Sequence, residues 1–249
     1  MIKRSLDEQG RLTVIEHLNE LRQRLIVSVL AVAVTTVVSV IFTPFLFELL
    51  KSRAPDVHLI RTGVTEMIGT YMKVALLGGV VLALPVILYE IVMFVSPGLT
   101  KQERRYLFAL FPGAILSFLV GAVFAFFFLL PPALNFLVTF GSDIAEPLIK
   151  IGDYVSVVTS LIFWVGIAFE TPLVIFFLAK IGVVSPKLLA AKRKYAVLGA
   201  FVLAAVITPT PDPINQALVA APLIVLYEIG ILLARLAWRG RTVLASSET

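Results

Sequence analysis

The sequence predicts an all-α, polytopic membrane protein with six transmembrane helices, the fifth and sixth of them short. Three observations carry this. The 249 residues are 59% hydrophobic and only 15% charged, with a mean hydropathy of +0.99. A soluble domain of this size carries nearer a quarter charged residues. The apolar runs are long and almost free of charge, unlike barrel strands, which alternate over about ten residues. Last, Lys and Arg fall unevenly between the connections.

The spans run roughly over Leu25 to Phe42, Gly69 to Val95, Tyr106 to Leu130, Tyr154 to Ala179, Tyr195 to Ile207 and Gln216 to Leu233. Before the first, Leu12, Ile15, Leu18, Leu21 and Leu25 recur at three- and four-residue spacing. This predicts that residues 1–24 form an amphipathic segment, whose helix lies along the membrane interface. The segment is acidic as well as basic and lacks a small-x-small cleavage site, so it does not read as a signal peptide. Pro44 ends or bends the first span, and Pro85 and Pro112 kink the second and third. Several kinked helices together favour a concave bundle.

The fourth span carries Glu170 and Pro172 within an apolar run from about Val155 to Ala179. A carboxylate in hydrocarbon is costly unless it faces protein or a wet cavity. Pro172 removes a backbone donor from the carbonyl of Ala168. The plain alternative is a protonated Glu170 hydrogen-bonded to a neighbouring helix. The fifth span has about 13 residues, or ~20 Å, against a hydrocarbon core of ~30 Å. The sixth is interrupted by Glu228. Two short helices side by side thin the bilayer or hold water against the protein.

Six spans place both termini on one side. That side holds sixteen Lys and Arg, including Arg22, Arg24, Arg104 and Arg105, and the tail 235–249 contributes Arg235, Arg239 and Arg241. The other side holds Lys51, Arg53, Arg61 and Lys150, with Lys73 near the outer end of the second span. The positive-inside rule makes the first side cytoplasmic. The whole chain, 1–249, forms a single membrane domain.

The composition excludes several classes. Cysteine is absent, and His17 and His58 have no ligand-like spacing, so no metal site is expected. No Gly-rich phosphate loop or nucleophile with its base is present, which predicts neither an enzyme nor a cofactor. The basic tail fits topology and anionic lipid rather than nucleic acid.

Two acidic positions lie among arginines on the basic side. Glu20 stands in His17-Leu-Asn-Glu-Leu-Arg-Gln-Arg-Leu25, with Glu16 one turn earlier. A surface pair between Glu20 and Arg24 at i,i+4 explains it equally well. Glu103 stands in Pro97-Gly-Leu-Thr-Lys-Gln-Glu-Arg-Arg105, where Thr100 and Glu103 also spell a capping box. Such carboxylates can grip guanidinium groups in bidentate pairs, although spacing alone does not establish it. On the other side, Asp212 in Thr208-Pro-Thr-Pro-Asp-Pro213 is placed to cap the sixth span.

The ordered set of segments resembles the TatC family, the multispanning subunit of the twin-arginine protein translocase. The segments are His17-Leu-Asn-Glu-Leu-Arg22, Pro85-Val-Ile-Leu-Tyr89, Phe94-Val-Ser-Pro-Gly-Leu-Thr-Lys-Gln-Glu-Arg-Arg105, Phe169-Glu-Thr-Pro172, Lys192-Arg-Lys-Tyr195 and Tyr227-Glu-Ile-Gly230. The resemblance implies a cupped six-helix fold and a receptor for folded proteins bearing Arg-Arg signal peptides. It implies a docking site at Glu20 and Glu103 with Arg22, Phe94, Leu99, Arg104 and Arg105 around it. It also implies that Glu170, with Pro172 and Gln216, faces the concave side or partner helices, and that Pro44 and Asp212 matter for assembly. Transport is then driven by the proton gradient, with small single-span partners of TatA and TatB type, membrane lipid and further copies of the chain as neighbours. The turn at Thr208 to Pro213 is longer than the family's compact Pro-Pro-Asp, and Ser185-Pro-Lys-Leu188 lacks the acidic residue that often follows this proline.

Two other readings compete. A proton-coupled small-solute transporter using Glu170 predicts an internal repeat with matched broken helices, which the unequal spans do not provide. A structural membrane scaffold predicts that Glu170→Ala is silent. The bacterial cytoplasmic membrane is the expected location, because the N-terminus lacks an Arg- and Ser-rich, acid-poor transit segment.

Overall fold

A computed structural model describes residues 14–53, 59–142, 148–208 and 212–246, with side chains assigned for 15–53, 59–142, 148–208 and 212–238. The expectations placed on residues 1–13, on His58, on Pro209 to Pro211 and on the side chains of Arg239 and Arg241 lie outside these residues. Among the described residues the fold is all-α apart from one small strand pair. Among the described residues, five helical segments are long and apolar enough to cross a membrane: Ile15–Lys51, Glu66–Gly98, Lys101–Thr139, Ile151–Ile181 and Pro213–Trp238. A sixth, shorter helix (α8, Arg193–Ile207) lies between the last two.

Helix α1 (Val14–Lys51) is continuous over 38 residues. At 1.5 Å per residue it is about 57 Å long, nearly twice the hydrocarbon core. The described part of the amphipathic lead-in is one helix with the first span. Ile15, Leu18 and Leu21 continue straight into the span, and all three are exposed. Nor does Pro44 end this helix, which runs another two turns to Lys51. Helix α2 (Glu66–Val95) packs along α1. Thr35 Oγ1 donates to the Gly79 carbonyl at 2.8 Å, and Ser39 and Thr43 are buried in the same seam. Small and hydroxyl-bearing side chains at the contact are what membrane helices use, because lipid gives apolar surfaces no reason to associate.

A 3₁₀ turn (Ser96–Gly98) leads to α3 (Lys101–Phe124). The expected connection from Pro131 onwards starts later than the prolines predict. After α3 a π turn (Ala125–Leu129) passes directly into α4 (Leu130–Thr139), with Pro131 and Pro132 in its first turn. The Leu130 N–H bonds back to the Ala125 carbonyl, one residue further than in an α-helix. That shift relieves the clash and the missing donors that two prolines impose.

The fourth span, expected as one helix disturbed at Pro172, is two helices: α5 (Ile151–Ala168) and α6 (Thr171–Ile181), interrupted at Phe169 and Glu170. Ser117 of α3 donates to the Phe169 carbonyl at 2.7 Å, satisfying one group exposed by the break. Gly182, at φ 83°, closes α6 in the left-handed conformation that glycine adopts without strain. A short α7 (Pro186–Ala191), capped by Ser185, precedes α8.

Helix α8 has 15 residues, short as expected. Helix α9 (Pro213–Ser246) is long, at 34 residues. Glu228 interrupts its apolar run without breaking the helix, and it pairs at 2.7 Å with Arg193 at the base of α8. That pair marks where the apolar stretch of α9 beside α8 ends. The core packs α5 against its neighbours, with Val74, Phe118, Leu130, Val158, Val165 and Val219 nearly inaccessible.

Two faces result. On the capped face, β1 (Leu59–Ile60) pairs in parallel with β2 (Ile149–Lys150), joining the α1–α2 and α4–α5 connections. Tyr154 donates to the Leu50 carbonyl at 2.7 Å beside it. On the basic face, the Lys180 ammonium sits 5.0 Å from the Tyr106 ring centroid, and Tyr227 donates to the Leu189 carbonyl.

Candidate functional site

The basic face brings the start of α1 against the end of α2. The His17 and Phe94 rings stack with centroids 4.4 Å apart and planes 14° apart. Two turns further along α1, Arg24 donates through Nε and Nη2 to Glu20 Oε1 at 3.1 and 2.7 Å. Its Nη1 donates to Glu90 Oε2 at 2.8 Å. The i,i+4 pair that spacing allows is thus formed, and it has a third member from α2. All three side chains are largely screened from solvent, with Arg24 at 20% and each carboxylate at 13% exposure. Two carboxylates around one guanidinium leave the cluster with a net negative charge.

Beyond Phe94 the chain turns sharply. Leu99, half-buried, donates its N–H to the Ser96 carbonyl at 3.2 Å. Thr100 and Glu103 form the complete capping box: Glu103 Oε2 accepts the Thr100 N–H at 2.9 Å, and Thr100 Oγ1 accepts the Glu103 N–H at 3.3 Å. The carboxylate of Glu103 is therefore fixed at the N-terminus of α3, where backbone N–H groups favour negative charge. Arg22, Arg104 and Arg105 are exposed, and the Arg104 guanidinium lies 5.6 Å from the Phe108 ring centroid.

The remaining candidates lie elsewhere. Glu170 sits at the break between α5 and α6, and its Oε1 is buried with no hydrogen-bond partner. Pro172 is buried in the first turn of α6. The packing here is close: a Cβ on Gly121 would meet Phe169 Cγ at 2.7 Å, and one on Gly166 would meet Phe118 Cε2 at 2.7 Å. Gln216 donates to the Phe201 carbonyl at 2.9 Å, tying α9 to α8. Asp212 caps α9 as expected, accepting the Asn215 N–H at 2.6 Å and the Asn215 side-chain amide at 3.2 Å. Pro44 is exposed near the capped end of α1.

Sequence reasoning missed Glu90. The signal was present, since Glu90 interrupts an apolar run just as Glu170 does. His17 was set aside as a metal ligand, and its stacking on Phe94 has no signature in spacing. Among the described residues no group of His, Asp and Glu is placed to hold a metal ion.

The sequence profile described as "Sec-independent protein translocase protein (TatC)" matches residues 16–222. The chain belongs to the TatC family. It is 40% identical over 230 residues to the TatC protein of Carboxydothermus hydrogenoformans, covering 92% of this chain and 95% of the relative. It is 42% identical to that of Aquifex aeolicus, covering 90% and 95%. The chloroplastic TATC of Arabidopsis thaliana is 38% identical over 95% of this chain and 70% of its own length. A crystal structure described as the twin-arginine translocase receptor TatC superposes with a TM-score of 0.80 at 42% identity, covering 89% of this chain and 99% of that one. The TatC fold and membership of the Sec-independent translocase follow.

Proposed function

We propose that the chain is the core receptor of a twin-arginine translocase. It binds Arg-Arg signal peptides of folded proteins at the basic face, with Glu20 and Glu103 accepting the two guanidinium groups. Phe94 and Leu99 give an apolar wall between them, and Arg22, Arg104 and Arg105 border the site. The basic face is cytoplasmic, in a bacterial cytoplasmic membrane. The bound peptide nucleates assembly with single-span TatA and TatB type subunits, further copies of the chain and surrounding lipid. The proton gradient drives transport, and Glu170, Pro172 and Gln216 face the concave side or the partner helices.

One observation supports this reading above the rest. Glu20 already holds a guanidinium, that of Arg24, with two donors on one oxygen. The site therefore has the chemistry to accept another. Glu103, pinned at a helix N-terminus, supplies a second fixed acceptor. Arginine suits such a site better than lysine, whose ammonium cannot present parallel donors.

The test is photocrosslinking in membranes from probes at positions 20 and 103 to an Arg-Arg signal peptide. Crosslinks from both probes are expected, and both are expected to vanish when the peptide arginines become lysines. Crosslinks that persist unchanged with the Lys-Lys peptide would reject guanidinium recognition.

A further inference from the structure

The three-member cluster does more than stabilise α1 against α2. Arg24 is divided between two carboxylates on different helices. Glu20 takes Nε and Nη2, at 3.1 and 2.7 Å, while Glu90 takes Nη1 at 2.8 Å. Glu20 is also the acceptor assigned to the incoming peptide. Any arginine that reaches it meets a carboxylate with a resident guanidinium in place.

We propose that Arg24 is a built-in competitor for the signal-peptide arginine, and that Glu90 is the acceptor to which it withdraws when the peptide takes Glu20. This rests on the receptor reading above and adds residues to it. The exchange is balanced in charge. One guanidinium leaves Glu20 as another arrives, and the displaced one keeps a partner. No carboxylate and no guanidinium is stranded in a cluster largely screened from water, where an unpaired charge is costly.

The arrangement also sets selectivity. An empty carboxylate attracts any cation, because Coulomb attraction does not distinguish arginine from lysine. The Glu20 oxygen that holds two donors of a forked guanidinium yields more readily to a group that replaces both. Lysine offers a point charge and fails that comparison. Arg24 therefore raises the threshold for all cations and most of all for lysine. Glu90 lowers the threshold for arginine by stabilising the displaced state.

The test is binding of Arg-Arg and Lys-Lys signal peptides, by fluorescence anisotropy, to the purified full-length chain in detergent. Four proteins are compared: wild type, Arg24→Gln, Glu90→Gln and the double variant. Wild type is expected to prefer Arg-Arg; a wild type that binds both peptides equally overturns the receptor reading itself. With that preference in place, Arg24→Gln is expected to bind both peptides more tightly, with the Arg-Arg over Lys-Lys ratio reduced. Glu90→Gln is expected to bind Arg-Arg about tenfold more weakly, because the resting Arg24 keeps Glu20 whereas the displaced Arg24 is left without a carboxylate. In the double variant the Glu90→Gln loss is expected to disappear. An equal loss with and without Arg24 overturns the proposal, because Glu90 then acts on the peptide directly. So does an Arg24→Gln protein that binds no tighter than wild type. Melting temperatures of all four confirm folding, and Arg24→Lys, which keeps the charge but cannot bridge both acids, stands in if Arg24→Gln does not fold.

Discussion

Glu66, at the start of α2, reaches across the capped face and accepts the backbone N–H of Gly152 at 2.9 Å through Oε1. Its other oxygen accepts the N–H groups of Thr62 at 2.7 Å and Gly63 at 3.1 Å. One carboxylate thus satisfies backbone donors from the α1–α2 connection and from the first turn of α5, next to the two-residue strand pair. Such short pairing is weak on its own, so the carboxylate holds the cap together.

Glu66→Ala is accordingly expected to lower the melting temperature in detergent and to expose the segment around Gly63 to limited proteolysis. Glu66→Gln keeps one acceptor oxygen and is expected to fall between Ala and wild type. Signal-peptide binding at the opposite face should change little. A melting temperature for Glu66→Ala equal to wild type would remove the cap role.

The break at Phe169 and Glu170 depends on close approach of α3. A methyl added at Gly121 or at Gly166 has no room beside the Phe169 and Phe118 rings. Overpacking of this kind costs about 1–3 kcal/mol. Gly121→Ala is expected to destabilise at least as much as Gly166→Ala, because its methyl meets Phe169 Cβ at 2.8 Å, which moves only with the backbone, whereas Gly166 faces the outer edge of the Phe118 ring. Thermal unfolding of both variants checks the order.

Glu170 presents the opposite balance. Its Oε1 is buried without a partner, and an unsatisfied buried polar atom costs roughly 1–3 kcal/mol. In the receptor reading Glu170 serves transport rather than stability. Glu170→Ala is expected to melt at or above the wild-type temperature while transport of a folded substrate in membrane vesicles falls sharply. Normal transport with a lowered melting temperature would make it a structural residue.

The spans were legible because an apolar run longer than the bilayer core has few other solutions. The disturbance at Pro172 was legible for the local reason that proline lacks a donor. Where the reading went astray, a distant partner or an alternative hydrogen-bond register had intervened. Pro131 and Pro132 do not end a helix, because the π turn before them reroutes the carbonyls. Glu228 ends the apolar stretch but not the helix, because glutamate is a good helix former, and its partner Arg193 comes from another helix. The same applies at the site. The Glu20 to Arg24 pair is local and follows from i,i+4 spacing, whereas Glu90 comes from 66 residues away. The capping box of Thr100 and Glu103 was fully readable, since all its atoms lie within one turn.

That box makes Glu103 a residue with two separable roles. Its carboxylate helps start α3, and the receptor reading also gives it a peptide guanidinium. Thr100→Ala removes the Thr100 half of the cap and is expected to cost about 1 kcal/mol, with only a modest effect on peptide binding. Glu103→Gln keeps an oxygen for the Thr100 N–H while removing the charge. It is expected to melt close to wild type yet bind an Arg-Arg peptide about tenfold more weakly, with a smaller loss for Lys-Lys. Glu103→Ala should show both defects together. Parallel titrations and melting curves on the three variants separate the roles. If Glu103→Gln loses stability and binding in the same proportion as Thr100→Ala, the carboxylate serves the helix start alone and the peptide arginine is held elsewhere.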